Sequence, residues 1–256
     1  MIFTNEKPLD NIVSDGGFCG IFRTIGCIGD SLSSGELEYT KEDGSKGYKD
    51  YYEYSWGQYM ARTCGNTVYN FSKGGMTARA FHKFAQERGF WNDEYKCQAY
   101  VIALGVNDID HEKSTTPIGD VGDLDREDYD SETNFTFAGE YEKIIRKIRE
   151  IQPKARIFLM TMPDNRKTAP LHSELLTRMA AAYEFTYVID LYKYAPTFRG
   201  EFSKRYFLGG HMNPMGYMVM SKLVMSYIDY IIRNNYEDFK QVGFIGTEYH
   251  NVHEKW

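Results

Sequence analysis

Five short apolar runs punctuate the chain: 22–29 (FRTIGCIG), 67–71 (TVYNF), 99–104 (AYVIAL), 157–161 (IFLMT) and 186–191 (TYVIDL). They are rich in Val, Ile, Phe and Tyr, and three are nearly unbroken, as strands covered on both faces should be. The stretches between them carry a helical period. YEYSWGQYMARTCG (52–65) ends on a glycine suited to a helix C-cap, and TARAFHKFAQERG (77–89) starts at a threonine and also stops at glycine. FAGEYEKIIRKIREIQP (137–153) sets Tyr141, Ile144, Ile145, Ile148 and Ile151 on one face and halts before a proline. LHSELLTRMAAAYEF (171–185) follows, and a last helix is predicted from Pro214 to about Asn234.

Strand and helix in alternation predict an α/β protein: a parallel sheet with helices on both faces, joined by right-handed crossovers. The rhythm breaks only over the polar stretch 106–134, and the segment after Tyr236 has no evident place in it. No internal repeat and no Pro/Gly/Ser linker interrupts the 256 residues, so one domain over 1–256 is expected, with its core near 22–233 and a tail over 236–256.

Composition narrows the partners. A formal net charge of −6, with no basic run, argues against nucleic acid and acidic membrane surfaces. No run approaches the roughly 18 apolar residues of a membrane span. The N-terminus, MIFTNEKPLDNIVSDG, lacks the apolar core of a signal peptide. The four cysteines (Cys19, Cys27, Cys64, Cys97) have no paired spacing of metal or redox type, which suits reduced thiols and a cytoplasmic location.

In an open parallel sheet, ligands sit outside the carboxyl ends of the strands. The loops leaving those ends read GDSLSSG (29–35), Asn70-Phe71-Ser72-Lys73-Gly74-Gly75-Met76-Thr77, Gly105-Val106-Asn107-Asp108, MPDNRKTAP (162–170) and, later, Gly209-Gly210-His211-Met212-Asn213-Pro214. They hold the ingredients of acyl transfer: a hydroxyl nucleophile in Ser31, which needs a base, and backbone or amide donors for an oxyanion in Gly74-Gly75 and Asn107. Of six histidines, His82 lies mid-helix beside aromatic residues, and His250 with His253 in the tail could form at most a weak metal pair. His111, His172 and His211 all fall at the correct edge, and residue chemistry does not choose among them.

In these blocks the chain resembles the SGNH (GDSL-type) hydrolase family of esterases and lipases. The likeness rests on Gly29-Asp30-Ser31, on the Asn70 to Thr77 loop with Gly75, on Gly105-Val106-Asn107-Asp108, and on His211 followed by Asn213, Pro214 and Gly216, in family order over residues 22 to 233. It implies a three-layer flavodoxin-like fold with a five-stranded parallel sheet. It also implies Ser31 as nucleophile, His211 as general base, and an oxyanion hole made by the N–H groups of Ser31 and Gly75 with the Asn107 side chain. Neither cofactor nor metal is expected. Asp30, Asn70 and Asp108 read as residues that hold their turns through backbone hydrogen bonds.

One position departs from the family pattern. An aspartate usually stands three residues before the histidine, and here that residue is Leu208. A Ser31–His211 dyad is therefore expected, with a main-chain oxygen near 208–210 orienting the ring, and Asp190 and Asp164 are the carboxylates that could overturn it. The segment 110–132 carries nine acidic residues against Lys113 and Arg126, and reads as a solvated loop or else as a lid or acidic substrate rim. The aromatic stretch YKDYYEYSWGQY (48–59) reads as core, with sugar stacking as the alternative. The expected partner is a small-molecule ester. Short acyl groups, such as acetyl on a carbohydrate, are favoured over the longer chains of a lipase or thioesterase, and an inactive binding protein retaining the fold is the rival from another class.

Overall fold

The computed structural model describes residues 5–249. From the N-terminal side a 3-10 turn leads into β1 (Thr24–Gly29), a single-turn helix α1 (Ser31–Ser34), an antiparallel hairpin β2 (Glu36–Thr40) and β3 (Lys46–Asp50), and α2 (Trp56–Cys64). Next come β4 (Thr67–Ser72), α3 (Ala78–Arg88), β5 (Ala99–Ala103), α4 (Phe137–Ile151), β6 (Arg156–Met160), α5 (Ala169–Ala182) and β7 (Thr186–Ile189). The chain closes with α6 (Leu191–Tyr194), α7 (Glu201–Tyr206), a two-residue ladder of β8 (Phe207–Leu208) with β9 (His211–Met212), then α8 (Pro214–Asn234) and α9 (Tyr236–Phe239).

All five anticipated strands form one parallel sheet in the order β4-β1-β5-β6-β7. β1 pairs with β4 from Thr24↔Thr67 and with β5 from Ile25↔Ala99. The strand order reverses direction at β1, so the loop leaving β1 opens at the topological switch point, where a doubly wound sheet leaves a crevice.

Side chains alternate across the strands and feed two separate cores. On β5, Ala99 and Val101 join Trp56 and Met60 of α2 and the long apolar face of α8, while Tyr100 and Ile102 join Phe81 of α3, Ile144 and Ile148 of α4 and Leu176 of α5. Helix ends follow the sequence signals. The side chains of Ser55, Thr77, Thr136 and Asn213 each accept a backbone N–H in the first turn of the helix that follows. Gly65 and Gly89 close α2 and α3 in the left-handed conformation.

Three features depart from the reading of the sequence. The β2–β3 hairpin was not anticipated, although Asp43-Gly44 between alternating runs is a hairpin signal. The helix expected from residue 52 begins at Trp56, because 52–54 form a 3-10 turn ahead of the Ser55 cap. The tail is partly structured: Phe239, Val242 and Ile245 are buried against the first core, and Gln98 Nε2 donates to the Val242 carbonyl at 2.8 Å. His250 and His253 lie outside the described residues.

The acidic stretch is neither bare nor a free rim. Asp120 pairs with Arg178 of α5 at 2.6 Å, Asp125 with Arg146 of α4 at 2.5 Å and Glu132 with Arg79 of α3 at 2.5 Å. The Gly122 N–H donates to the Glu142 carboxylate of α4, and Tyr129 donates to Glu140 at 2.7 Å. Each exposed pair is worth little alone, but together with these buried partners they tie the segment across three helices as a strap.

Gly26, in the middle of β1, has no room for a side chain: a Cβ there would lie 2.8 Å from ring carbons of both Phe71 and Tyr100. Gly26→Ala should lower stability by roughly 1–3 kcal/mol, the usual cost of overpacking. Urea unfolding with an unchanged m-value checks this, and wild-type stability in the variant would show that the two rings yield freely.

Candidate active site

The turn after β1 is built for tightness. A Cβ on Gly29 would sit 2.3 Å from Ser33 Oγ. Asp30 Oδ1 caps α1 by accepting the Leu32 N–H at 2.9 Å, and the Asp30 carbonyl accepts from Ser33 and Ser34. Ser31 is thereby the first residue of α1, half-exposed, with an N–H that has no intrahelical acceptor. Tyr217 of α8 locks the turn from below: its hydroxyl lies 2.7 Å from the Glu36 carbonyl and 3.3 Å from that of Ser31.

The loops after β4 and β5 meet this turn. Gly75 takes a φ of +72°, a left-handed conformation that favours glycine, and its surroundings are open. Asn70 Oδ1 accepts the Ser72 N–H at 2.9 Å and Asp108 Oδ1 accepts the Ala78 N–H at 2.8 Å, the backbone-holding roles read from the sequence. Asn107 Nδ2 donates to the Met76 carbonyl at 3.1 Å and reaches Asp30 Oδ2 at 3.5 Å. One of its two N–H donors is thus spent inside the Gly75 loop, and the other has only a long contact. Burial pushes the Asp30 carboxyl up to about 6 and that of Asp108 up to about 7.

The three histidines left open are told apart by their surroundings. His111 is exposed and its Nδ1 accepts the Lys113 N–H. His172 is fully buried on α5, its Nδ1 accepts the Met162 N–H at 3.1 Å, and burial pushes it down to about 4. It is a core residue. His211, on β9, sits against β2 and α1, and its Nε2 lies 3.0 Å from Glu36 Oε1.

That contact replaces the expected main-chain acceptor. Among the described residues neither ring nitrogen of His211 is hydrogen-bonded to a carbonyl of 208–210, and Nδ1 is buried without a partner. Asp190 is committed to Ser173 and Thr161, and Asp164 to Thr197 and the Phe198 N–H. The carboxylate comes from β2 because alternate residues of a strand share a face. Glu36 meets the ring, and Glu38 accepts the Gly210 N–H at 3.3 Å while paired with Lys46 at 2.7 Å. Opposite them on β3, Tyr48 stands edge-on to the His211 ring at 5.2 Å, and Asp50 accepts the Ser34 hydroxyl. Burial lowers the His211 imidazole, against the pull of Glu38 and Asp50, and burial with the Asp50 and Asp30 charges raises Glu36.

Asp30, Leu32 and Ser33, the residues on either side of Ser31, also line an apolar cavity of about 40 Å³. Its walls include Trp56, Leu104, Met162 and Met212, with polar groups from Thr161 and His172 and, half-buried on the loop after β6, from Asn165 and Arg166.

A doubly wound sheet with a serine turn at its switch point, faced by glycine, asparagine and histidine loops, is the architecture of the SGNH-type hydrolases. The chain belongs to the GDSL-like lipase/acylhydrolase family, whose model matches residues 27–219. Among solved structures it is similar to a possible lipase from Chitinophaga pinensis at 18% identity and a TM-score of 0.55, over 82% of this chain and 98% of that one. A family two carbohydrate esterase from Clostridium thermocellum, in complex with cellohexaose, is similar at 17% identity and a TM-score of 0.57, over 84% of this chain and 65% of that one. TesA is similar at 15% identity and a TM-score of 0.52, over 81% and 99%. No curated protein sequence matches significantly. Among the described residues no helix is long and apolar enough to cross a membrane.

Asp108 carries a testable consequence. Its Oδ2 is buried without a hydrogen bond, and its raised value means that the folded state binds a proton the unfolded chain has released. Stability from this group is full below about pH 4 and is lost as pH rises toward 7. Asp108→Asn keeps the acceptor for Ala78 and removes the charge. Relative to wild type it should gain stability between pH 4 and pH 7.5, on the order of 2–4 kcal/mol. Denaturant unfolding at the two pH values checks this, and a constant difference would mean that Asp108 titrates normally.

Proposed function

We propose that the protein is a serine ester hydrolase for short acyl esters, such as acetyl groups on a carbohydrate. Ser31 Oγ attacks the ester carbonyl carbon as its proton passes to the His211 imidazole. The carbonyl electron pair moves onto oxygen, facing the N–H groups of Ser31 and Gly75 and the loosely engaged N–H of Asn107. Collapse breaks the bond to the alcohol, which takes the proton from the imidazolium and leaves acyl-Ser31. Water then repeats the sequence and releases the acid.

The observation that carries the esterase reading is the Ser31 turn at the switch point with the Gly75, Asn107 and His211 loops around it, and the cavity behind that turn, lined by Leu32, Trp56, Leu104 and Met162, offers apolar space for a short acyl group. Carbohydrate as the alcohol is supported by the likeness to the cellohexaose-bound carbohydrate esterase and by exposed aromatic surface beside the base. Tyr48 touches the His211 ring, and Tyr51 and Tyr54 follow it on the surface, presenting faces on which a sugar can stack.

In this reading Glu36 does for His211 what Leu208 cannot. A neutral imidazole becomes cationic when it accepts the serine proton, and an adjacent carboxylate both orients the ring and stabilises that charge. The dyad expected from the sequence thus becomes a set of three, with the acid on the hairpin.

Two outcomes follow. Wild type should hydrolyse p-nitrophenyl acetate and propionate faster than the octanoate, and Ser31→Ala should lose the activity while keeping its fold by circular dichroism. A preference for octanoate would move the reading to a lipase or thioesterase, and no turnover of any ester would favour an inactive binding protein. Glu36→Gln should lower kcat by roughly 10- to 10⁴-fold, bounded by what an orienting acid contributes in a serine triad. It should also shift the acid limb of the kcat/KM profile to lower pH, because an imidazolium without its carboxylate loses its proton more readily. An unmoved limb would reduce Glu36 to a structural contact.

A further inference from the structure

Most charged groups around Ser31 are acidic: Asp30, Glu36, Glu38 and Asp50 all lie on the turn or on the hairpin face turned toward it. Of the cations nearby, Lys46 is already paired with Glu38 at 2.7 Å, and Arg166 is not paired. Arg166, on the loop after β6, lines the cavity beside the nucleophile turn, and its charge is felt by both Asp30 and His211. Yet it makes no ion pair and its guanidinium no hydrogen bond among the described residues, and its Nε is buried without a partner. Every other arginine near the strap or the tail is engaged, as with Arg146 on Asp125, Arg178 on Asp120 and Arg156 on the Asp238 carbonyl. A guanidinium left with its planar fork of donors unspent is suited to a bidentate carboxylate.

The residue beside it has the complementary deficit. Asn165 Oδ1, on the same edge of the cavity, is buried and has no donor. Buried polar atoms without partners are uncommon, and each calls for an explanation. Here an unmet donor and an unmet acceptor are adjacent in sequence and both line the cavity beside the Ser31 turn. A ligand that answers both presents a carboxylate to Arg166 and a hydroxyl to Asn165.

We propose that this edge is a subsite for a sugar acid, so that the substrate is an O-acylated uronate or a similar hydroxy-carboxylate. The assignment rests on the reading of the protein as a short-acyl esterase. The acyl group fills the apolar cavity, which leaves the carboxylate to the alcohol side of the ester. The acidic residues around the site add selectivity: they disfavour an anion placed away from Arg166, an unpaired cation at the cavity.

The test is binding, measured by titration calorimetry on the Ser31→Ala protein, so that it does not depend on turnover. Methyl glucuronoside should bind at least ten-fold tighter than methyl glucoside at low salt, and the preference should shrink as ionic strength rises. Arg166→Met should abolish the preference, and Arg166→Lys, which keeps the charge without the fork, should retain part of it. Asn165→Leu should weaken both sugars and leave their ratio unchanged. Equal affinity for the two glycosides, or a preference that survives in Arg166→Met, would overturn the subsite. A tighter hold on p-nitrophenyl hemisuccinate than on methyl glucuronoside would also overturn it, by placing the carboxylate on the acyl side. Loss of ester turnover in wild type with the glycoside preference intact would instead discard the esterase reading and keep the anion site.

Discussion

Asp30 is the residue on which the arrangement of the site hangs. Its carboxyl has almost no access to water, caps the helix that begins with Ser31, and lies within reach of the Asn107 amide. A group so buried resists ionisation, and the N–H of Leu32 only partly offsets this. The consequence is geometric. The turn after β1 and the loop after β5 are registered against one another through a single side chain, and the Asn107 bond to Met76 extends that registration to the Gly75 loop. The Asp108 bond to the Ala78 N–H and the Lys73 N–H bond to the Gly29 carbonyl join the same three loops.

The sheet, its helices and the loops after β4, β5 and β6 were legible from the residues, and the β2–β3 hairpin was not. Apolar runs bounded by Gly, Asp and Ser mark strands wherever both faces are buried, and β1, β5 and β6 are of that kind. Caps such as Thr77, Thr136 and Asn213 announce helix starts because their oxygens accept backbone N–H groups locally. These are short-range signals. The partner of His211 was not legible, because Glu36 and the histidine are far apart in sequence and are brought together by tertiary packing of the hairpin. The charge pattern did not show the partners of 110–132: nine acids read as a solvated loop or else a rim, and several of them, still exposed, pair with arginines supplied by α3, α4 and α5.

Position 208 shows how a fold tolerates a change in its chemistry. Leu208 pairs directly with His211 across the β8–β9 ladder and is 46% exposed, so nothing in the core depends on it. The ring is instead contacted from the other side, by a strand that leaves the nucleophile turn after one residue. Ser31 and Glu36 therefore come from a single stretch of eight residues, Gly29 to Glu36. Only the histidine is recruited from a distant part of the chain.

The hairpin that carries this carboxylate has a tip, residues 41–45, that is fully exposed, and a side chain added at Gly44 would meet no atom within 4 Å. Length at that tip can vary at a distance from Glu36, which lies at the opposite end of β2. A graft or an insertion there would enlarge the wall beside the mouth of the site, adding surface for a bulkier polymer while the acid stays where it is. The same fold can thus change the size of what it admits by altering a loop that its chemistry never touches.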